Sequence, residues 1–402
     1  MRHILFLLSF VFVLTASAQA PRTLRVTGDA SSNKLQVSLA GLRTDGSSEA
    51  NTFLQVLKAD LNRSGWLEVS ASPNALLRVN GMANGGGGVA ASLSIVAANG
   101  ATTPWSRRAS ASDVRMAAHN ASDEIVYRLT GNKGMASAPI LLVGKRAGKT
   151  NVYYCDADGA NLRGVTGDGA LCWSPTWLPD RSGFLYTACV KTYPAIYRAD
   201  FLPQGGVRRT PVANFSGLNT GGVVSPDGRL AAMVLSFSGN VELYVMNLSA
   251  KKLTRLTKTP HANEASPDWS PDGRTIAYVS DESGRPNVYL LAQGAPKGRR
   301  LVHGLQESVA PDWSPDGTKI AFCGKSGGVY GIYVCDTNGR HAKISPDGAS
   351  YQDPSWAPDG RHIIASKGPD GNRTLVLLDS MGDNPVNLTP YPGDWYLPDW
   401  SK

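Results

Sequence analysis

The chain has 402 residues, and its 40 Lys and Arg against 32 Asp and Glu give a formal net charge of +8. A hydrophobic content of 42% excludes a disordered chain, and the longest apolar run falls short of the roughly 18 residues that a membrane-spanning helix needs. The 43 Gly and 25 Pro favour a turn-rich, strand-rich protein over a helical one.

The first 18 residues have the pattern of a secretory signal peptide. Arg2 and His3 precede an apolar run at residues 4–13, and small residues follow up to Ala18. We expect cleavage after Ala18, which leaves Gln19 as the new N-terminus. The alternative is the start of a buried helix. The pattern predicts an exported protein.

Residues 19–133 carry no repeat and predict a small α/β domain. Apolar residues recur at helical spacing in two segments, residues 48–62 and 114–129, and glycines at 65 and 131 follow them. Strand-like runs lie between the helices, at residues 66–69, 76–79 and 90–96. The segment before them, residues 19–33, is polar, which fits either an exposed arm or a first strand of the domain.

The second two-thirds of the chain contain an internal repeat of Ser-Pro-Asp-Gly type. Its marks are Trp177, Val224 (in place of Trp), Trp269, Trp313, Trp356 and Trp400, separated by 47, 45, 44, 43 and 44 residues. Ser-Pro-Asp-Gly suits a tight turn, and the residues after it are strand-like in each repeat. A period in the forties with short strands is typical of propeller blades.

Counting strands predicts six blades over residues 138–402. Three outer strands precede the first Trp mark and lack an innermost strand, whereas the strand around Trp400 has nothing after it. We therefore expect a mainly β protein, in which a small α/β domain precedes a six-bladed β-propeller closed by the C-terminal strand. This closure removes the open sheet edges between the last and first blades.

The loops that enter the innermost strands ring one mouth of the propeller channel, and we predict partner binding there. Their candidate binding residues are Leu218, Asn219, Glu264, Ala265, Glu307, Ser308, Gln352, Asp353, Trp395 and Tyr396. The alternative is that these residues only cap strands, and that Trp395 and Tyr396 pack between blades.

Motifs of catalysis and metal binding are weak in this sequence. Gly324-Lys-Ser326-Gly-Gly328 matches the nucleophile pattern G-x-S-x-G, but it lies between two predicted strands instead of before a helix. The six His residues have no metal-ligand spacing, and Asp156-Ala-Asp158-Gly159 reads as a turn. We predict no catalytic residues, no metal site and no cofactor, although the acidic channel leaves a bound cation open. The scattered basic residues do not indicate nucleic-acid binding.

Five cysteines are an odd number for an exported protein. Cys172 and Cys189 are close enough in sequence to form a disulfide, and burial as free thiols is the alternative for the others.

The architecture and several local segments resemble the TolB family of the Tol-Pal system. Besides the repeats, the segments are Ala59-Asp-Leu-Asn-Arg-Ser-Gly65, His119-Asn-Ala-Ser-Asp-Glu-Ile-Val126 and Leu397-Pro-Asp-Trp400-Ser401. The likeness covers nearly the whole chain after residue 18. Departures are Val224 in place of Trp, Arg181 in place of the turn glycine, and the five cysteines.

The resemblance implies a non-enzymatic, monomeric adaptor in the periplasm that meets membranes only through its partners. It implies a Pal-like peptidoglycan-associated lipoprotein on the propeller mouth, and a TolA-like protein on the N-terminal arm, with Arg22, Leu24, Arg25 and Val26 as its residues. The implied role is outer-membrane integrity and constriction at cell division, and colicin-like ligands are a further possibility. The rival is a secreted hydrolase or polysaccharide lyase-related protein, because such enzymes carry similar repeats.

Overall fold

The structure, a computed structural model, describes residues 34–402 except residues 73, 74, 76, 97–99, 147, 168, 169, 191 and 390. The predicted signal peptide with its cleavage site at Ala18 and Gln19, and the predicted arm with Arg22, Leu24, Arg25 and Val26, lie outside the described residues.

The first domain combines two helices with a mixed sheet. Its helices are α1 (Ser48–Arg63) and α2 (Val114–Thr130), and a short 3₁₀ turn at Ala111–Asp113 precedes α2. Its strands are β1 (Leu35–Ser38), β2 (Leu42–Thr44), β3 (Leu67–Ser70), β4 (Leu77–Asn84), β5 (Gly88–Val96) and β6 (Thr102–Ser110). The sheet order is β3-β1-β4-β5-β6, with β2 beside β4. Strands β1 to β4 pair in parallel, and β4, β5 and β6 pair antiparallel.

Both helices form where the apolar spacing predicts them. The Ser47 hydroxyl begins α1 by accepting a hydrogen bond from the Ala50 N–H, and Gly131 ends α2 with a left-handed φ of 75°. Phe53, Leu57 and Leu61 are fully buried against the sheet. Strands β1, β2 and β6 were not predicted; β6 has no fully buried residue, so it lacks the apolar alternation that marks a strand.

The remaining strands form six four-stranded sheets, which confirms the predicted propeller. Blades 1 to 3 use β7 (Ile140–Arg146), β8 (Lys149–Cys155), β9 (Arg163–Gly164), β10 (Leu171–Trp177), β11 (Gly183–Cys189), β12 (Ala195–Phe201), β13 (Val207–Ala213), β14 (Asn219–Val224), β15 (Leu230–Leu235), β16 (Glu242–Asn247) and β17 (Leu253–Arg255). Blades 4 and 5 use β18 (Glu264–Trp269), β19 (Thr275–Ser280), β20 (Asn287–Ala292), β21 (Arg299–Arg300), β22 (Glu307–Trp313), β23 (Lys319–Ser326), β24 (Val329–Asp336) and β25 (His341–Lys343). Blade 6 uses β26 (Tyr351–Trp356), β27 (His362–Lys367), β28 (Thr374–Asp379) and β29 (Val386–Asn387), and β30 (Asp394–Trp400) completes blade 1.

The C-terminal strand closes the ring as predicted. Strand β30 pairs antiparallel with β7, with Trp400 opposite Ile140. Trp400 is 1% exposed, and its indole N–H donates to the Ala138 carbonyl at 2.8 Å. Blade 1 therefore takes its innermost strand from one end of the propeller sequence and its outer strands from the other.

Each innermost strand contains a β-bulge at the same height. The residue at the bulge has a left-handed φ in every blade: Ser174, Gly221, Ser266, Ala310, Asp353 and Leu397. Beyond the bulge, a hydrogen bond joins each blade to the next. For example, Asp268 of blade 4 accepts from the Trp313 N–H of blade 5 at 2.7 Å, and Asp312 of blade 5 accepts from the Trp356 N–H of blade 6 at 2.7 Å. The other four links are Ser355 to Trp400, Asp399 to Trp177, Thr176 to Gly222 and Trp269 to Val223.

The α/β domain contacts the propeller at blades 1 and 6 through charged side chains. Arg115 on α2 lies against Asp156 and Asp158, in the predicted turn of blade 1. Arg361 of blade 6 stacks over the Trp66 ring, with its guanidinium carbon 4.6 Å from the ring centroid. Both contacts are on the face where the innermost strands end, opposite the predicted binding mouth.

Candidate partner-binding rim and channel

We call the rim the set of loops that lead into the innermost strands, together with the hairpins between the second and third strands of each blade. The ten predicted binding residues lie there, but their side chains divide into two groups. Asn219, Glu264, Ser308 and Trp395 are at most 2% exposed. Leu218, Ala265, Glu307, Gln352, Asp353 and Tyr396 are half-buried or exposed.

The buried side chains stabilise the rim loops through hydrogen bonds and ring packing. Asn219 accepts from the Phe215 N–H and donates to the Phe215, Gly217 and Pro194 carbonyls. The Ser308 hydroxyl accepts from the Val288 N–H. The Trp395 ring packs edge-on against Tyr153 with centroids 5.0 Å apart. These positions match the alternative of strand caps and packing between blades, and partner contact stays a prediction for the exposed group.

The pKa values of two glutamates on the rim are shifted in opposite directions. Glu307 accepts hydrogen bonds from Tyr330 and Lys325, which lower its pKa and keep a negative charge at the surface. Glu264 is buried beside Glu242, and the burial raises its pKa. Its Oε1 accepts from the Thr259 hydroxyl at 2.7 Å. Glu307 is therefore the more exposed charge that a partner can meet.

An apolar patch that the sequence did not predict lies on the rim at blades 2 and 3. The patch comprises Leu171, Val190, Tyr193 and Phe237, which are 57%, 40%, 50% and 42% exposed. Leu171 pairs with Cys189, the neighbour of Val190, and Asn219 ties the hairpin of blade 2 to the loop of blade 3 through the Pro194 carbonyl. Phe237 stacks on Phe215 with centroids 4.8 Å apart. Large apolar residues in loops beside Gly and Pro were the available signal.

A basic hairpin adjoins this apolar patch. Lys145, Arg146 and Lys149 are exposed at the β7–β8 turn of blade 1. The Cys172 thiol, next to Leu171, contacts the Thr150 carbonyl at 3.6 Å and so joins this hairpin to blade 2. Three cations beside an apolar surface suit a partner that presents an apolar side chain bordered by acidic residues.

The centre of the propeller is a cavity of about 450 Å³ that residues from all six innermost strands line. Four aspartates line it: Asp268, Asp312, Asp353 and Asp399. Burial raises the pKa of Asp268 and of Asp399 to about 7. The ammonium of Lys402 lies 2.8 Å from Asp312 Oδ1. The acidic channel that the sequence predicts thus contains a cationic side chain of the chain itself.

A histidine and two aspartates at the domain contact are spaced like metal ligands, but they already pair with other side chains. His119, Asp156 and Asp158 bring their donor atoms within 4.8 Å of one another. However, Arg115 already pairs with both aspartates, and His119 Nδ1 lies 2.6 Å from Asp60. Burial opposes a charge on His119, but Asp156 and Asp60 outweigh it and raise its pKa to about 9. A protonated imidazole cannot ligate a metal.

The G-x-S-x-G segment lacks the setting of a nucleophile. Ser326 is the last residue of β23, and the chain turns directly into β24. A nucleophile elbow needs a helix after the serine, which the antiparallel pair β23–β24 does not provide. Cys155, Cys172, Cys323 and Cys335 are buried free thiols, so the disulfide considered for Cys172 and Cys189 is not formed.

No helix in the described part of the chain is long and apolar enough to cross a membrane.

Comparisons with known proteins agree with this architecture. The sequence profile of the TolB beta propeller domain matches residues 126–402. A Tol-Pal system protein TolB from Anaeromyxobacter dehalogenans (strain 2CP-C) is 29% identical over 211 residues, which cover 51% of this chain and 46% of that protein. The chain thus spans about half the length of the curated relatives it matches.

Solved structures show the same fold. TolB from Acinetobacter baumannii superposes with a TM-score of 0.80 at 24% identity, over 92% of this chain and 97% of the other. A putative TolB from Agrobacterium tumefaciens gives a TM-score of 0.50 at 22% identity, over 64% of this chain and 90% of the other. Because the profile covers more than half of the sequence and the α/β domain precedes the same six-bladed ring, the chain belongs to the TolB family.

Proposed function

We propose that the protein is an exported, non-enzymatic, monomeric adaptor of the Tol-Pal system in the periplasm, with two binding surfaces. A Pal-like lipoprotein docks on the rim, and a TolA-like protein binds the N-terminal arm around Arg22, Leu24, Arg25 and Val26. Through these partners the protein supports outer-membrane integrity and constriction at division. Membership of the TolB family supports the general role.

The observation that carries the rim assignment is the apolar patch beside the basic hairpin. Leu171 is 57% exposed and Tyr193 is 50% exposed, and the two lie in neighbouring segments of the rim. Large apolar side chains with a charged surround are the usual composition of a protein-binding surface. The predicted residues Ala265, Glu307, Gln352 and Tyr396 extend the same rim across the remaining blades. We assign the apolar contact to blades 2 and 3 and the remaining contacts to blades 4, 5, 6 and 1.

The contact of Lys34 supports a second, separate attachment. Lys34, the first described residue, pairs with Asp383, in the turn between β28 and β29. That turn lies on the face of the propeller opposite the rim. We propose that a partner on the arm and a partner on the rim are held at once.

A reciprocal capture experiment tests both assignments. The protein is immobilised, and the soluble domains of the Pal-like and TolA-like proteins from the same genome are passed over it. The double variant Leu171→Ser, Tyr193→Ser should lose at least tenfold in Pal-like affinity, since each exposed anchor contributes on the order of 1 kcal/mol or more. Deletion of residues 19–32 should abolish TolA-like capture and spare Pal-like capture.

The matched control is Met381→Ser, which removes an apolar side chain of 38% exposure on the opposite face. It should leave both partners bound as before. Equal loss in Met381→Ser and the rim variant would remove the rim assignment. Capture of neither partner, together with cleavage of a peptide or polysaccharide by the purified protein, would replace the adaptor by the rival hydrolase or lyase.

A further inference from the structure

The end of the channel opposite the rim contains a group of acids, one of which pairs with the side chain of Lys402. Asp268, Asp312 and Asp399 occupy the same repeat position, the residue before the Trp, in blades 4, 5 and 1. Each uses its Oδ2 to accept a backbone N–H of the following blade at 2.7 Å, from Trp313, Trp356 and Trp177 respectively. The second oxygen of Asp312 is directed to Lys402.

Lys402 reaches this group from an unusual place in the repeat. It is the second residue after Trp400, where the other repeats have the turn proline, such as Pro271 and Pro315. Its Nζ donates to Asp312 Oδ1 at 2.8 Å and to the Trp313 carbonyl at 2.8 Å. Burial disfavours the ammonium, but the charges of Asp312, Asp268 and Asp399 outweigh burial and raise the pKa of Lys402.

We propose that this end of the channel is a binding site for a primary ammonium group, which Lys402 fills from within the chain. The two acceptors, one carboxylate oxygen and one carbonyl, match two of the three N–H bonds of an alkylammonium. A metal ion fits less well. In the described part of the chain, the carboxylate oxygens of these three aspartates do not all lie within 4.8 Å of one another. Divalent ions require such convergence of oxygen ligands.

The assignment is independent of the proposed partners and defines a ligand class. A lysine side chain or a small alkylamine can occupy the site, whereas a quaternary ammonium, which has no N–H, cannot. With Lys402 in place the site is occupied, so added amine should have little effect. Removal of the lysine side chain should open it.

Chemical rescue of Lys402→Ala tests the proposal. Propylammonium supplies the three carbons and the amine that this variant lacks. It should raise the melting temperature of Lys402→Ala by at least ~2 °C more than that of the wild-type protein at equal ionic strength. Tetramethylammonium is the matched control and should give no such difference. The double variant Lys402→Ala, Asp312→Asn should lose the rescue.

Equal shifts of the wild type and Lys402→Ala with propylammonium would overturn the proposal. So would stabilisation of Lys402→Ala by Ca²⁺ and not by propylammonium, which would make the site a metal site.

A measurement on the wild-type protein needs no variant to fold. Acetylation by an amine reagent at pH 8, followed by peptide mass spectrometry, should modify Lys402 at least about fivefold more slowly than Lys251 and Lys252. All three lysines are exposed, but a hydrogen-bonded ammonium with a raised pKa is a poor nucleophile. Equal rates at the three lysines would show that the ammonium is not held.

Discussion

Arg361 occupies the same repeat position as Arg229, directly after the turn glycine, but the two side chains have opposite surroundings. The Arg229 side chain is 82% exposed, whereas Arg361 is 2% exposed. Arg361 donates to Asp379 at 2.7 Å and stacks on Trp66 of the α/β domain. A repeated sequence position has therefore become a domain contact in one blade only.

Removal of this buried cation should weaken the fold and the domain contact together. Arg361→Ala leaves Asp379, which is 6% exposed, without its main partner, and we expect a loss of about 3–5 kcal/mol in the free energy of unfolding. Arg229→Ala, at the matched position of blade 3, should change it by less than about 0.5 kcal/mol. Urea unfolding followed by Trp fluorescence measures both. Similar midpoints for the two variants would contradict this role of Arg361.

The sequence could predict the turn at both arginines but not their difference. The Ser-Pro-Asp-Gly pattern fixes the local backbone through contacts within five residues, such as the Ser225 hydroxyl with Asp227. Burial of Arg361 depends on Trp66, which lies in another domain far along the chain. Likewise, no local sequence pattern predicts that His119 and Asp156 lie close together.

At the scale of the element, a β-bulge recurs in the innermost strand of every blade. Five blades place a non-glycine residue at a left-handed φ between 48° and 55°, and blade 3 uses Gly221 at 65°. The bulge turns the next polar side chain toward the neighbouring blade, which produces the ring of hydrogen bonds. Its strain is tolerated because these bonds are made in every blade.

Exchanging glycine and alanine at this position should shift stability in opposite directions. Gly221→Ala places a Cβ 3.1 Å from Pro267 Cδ at a left-handed φ, and we expect a cost of about 1–2 kcal/mol. Ala310→Gly relieves the same conformation at a φ of 49° and should gain about 0.5 kcal/mol after the entropy of the unfolded glycine is counted. Thermal unfolding of both variants checks the signs. A loss in both would mean that the bulge is not strained.

The Trp marks were sufficient to predict all six innermost strands, because their period is regular and their flanking turns are distinctive. The bulge was not predictable, since cross-strand register depends on pairs such as Ala265 with Val279 that no local pattern encodes. Strand β6 was missed for a related reason: as an edge strand it buries no residue completely.

For the whole molecule, the closure by β30 decides whether the ring exists. Deletion of residues 394–402 removes the buried Trp395 and Trp400 and uncovers the edge of β7. Each tryptophan loses on the order of 2–3 kcal/mol of burial, and the free edge favours aggregation. We expect the truncated protein to be insoluble or to melt far below the full chain.

Deletion of Lys402 alone separates the loss of its ion pair from the loss of the strand, because it leaves the whole of β30 in place. Soluble yield and melting temperature compare the three chains. A truncated chain that lacks residues 394–402 and melts like the full one would refute the closure as a source of stability.

The whole-molecule architecture was readable from the sequence, whereas the apolar patch was not. Leu171, Tyr193 and Phe237 are separated by more than 20 residues from one another and lie on the same side of the rim only because adjacent blades place their loops side by side. The sequence placed the ten candidate residues on the loops before the innermost strands, but could not separate side chains that face outward from those, such as Trp395, that face inward.

Lys34 and the rim lie at opposite ends of the propeller strands, and this has a mechanical consequence. Tension between two proteins attached at these ends would run along the strands and not across them. Hydrogen bonds between neighbouring strands would then be loaded in shear, so that many must break together. The protein would resist pulling better in this direction than if both attachments shared one face.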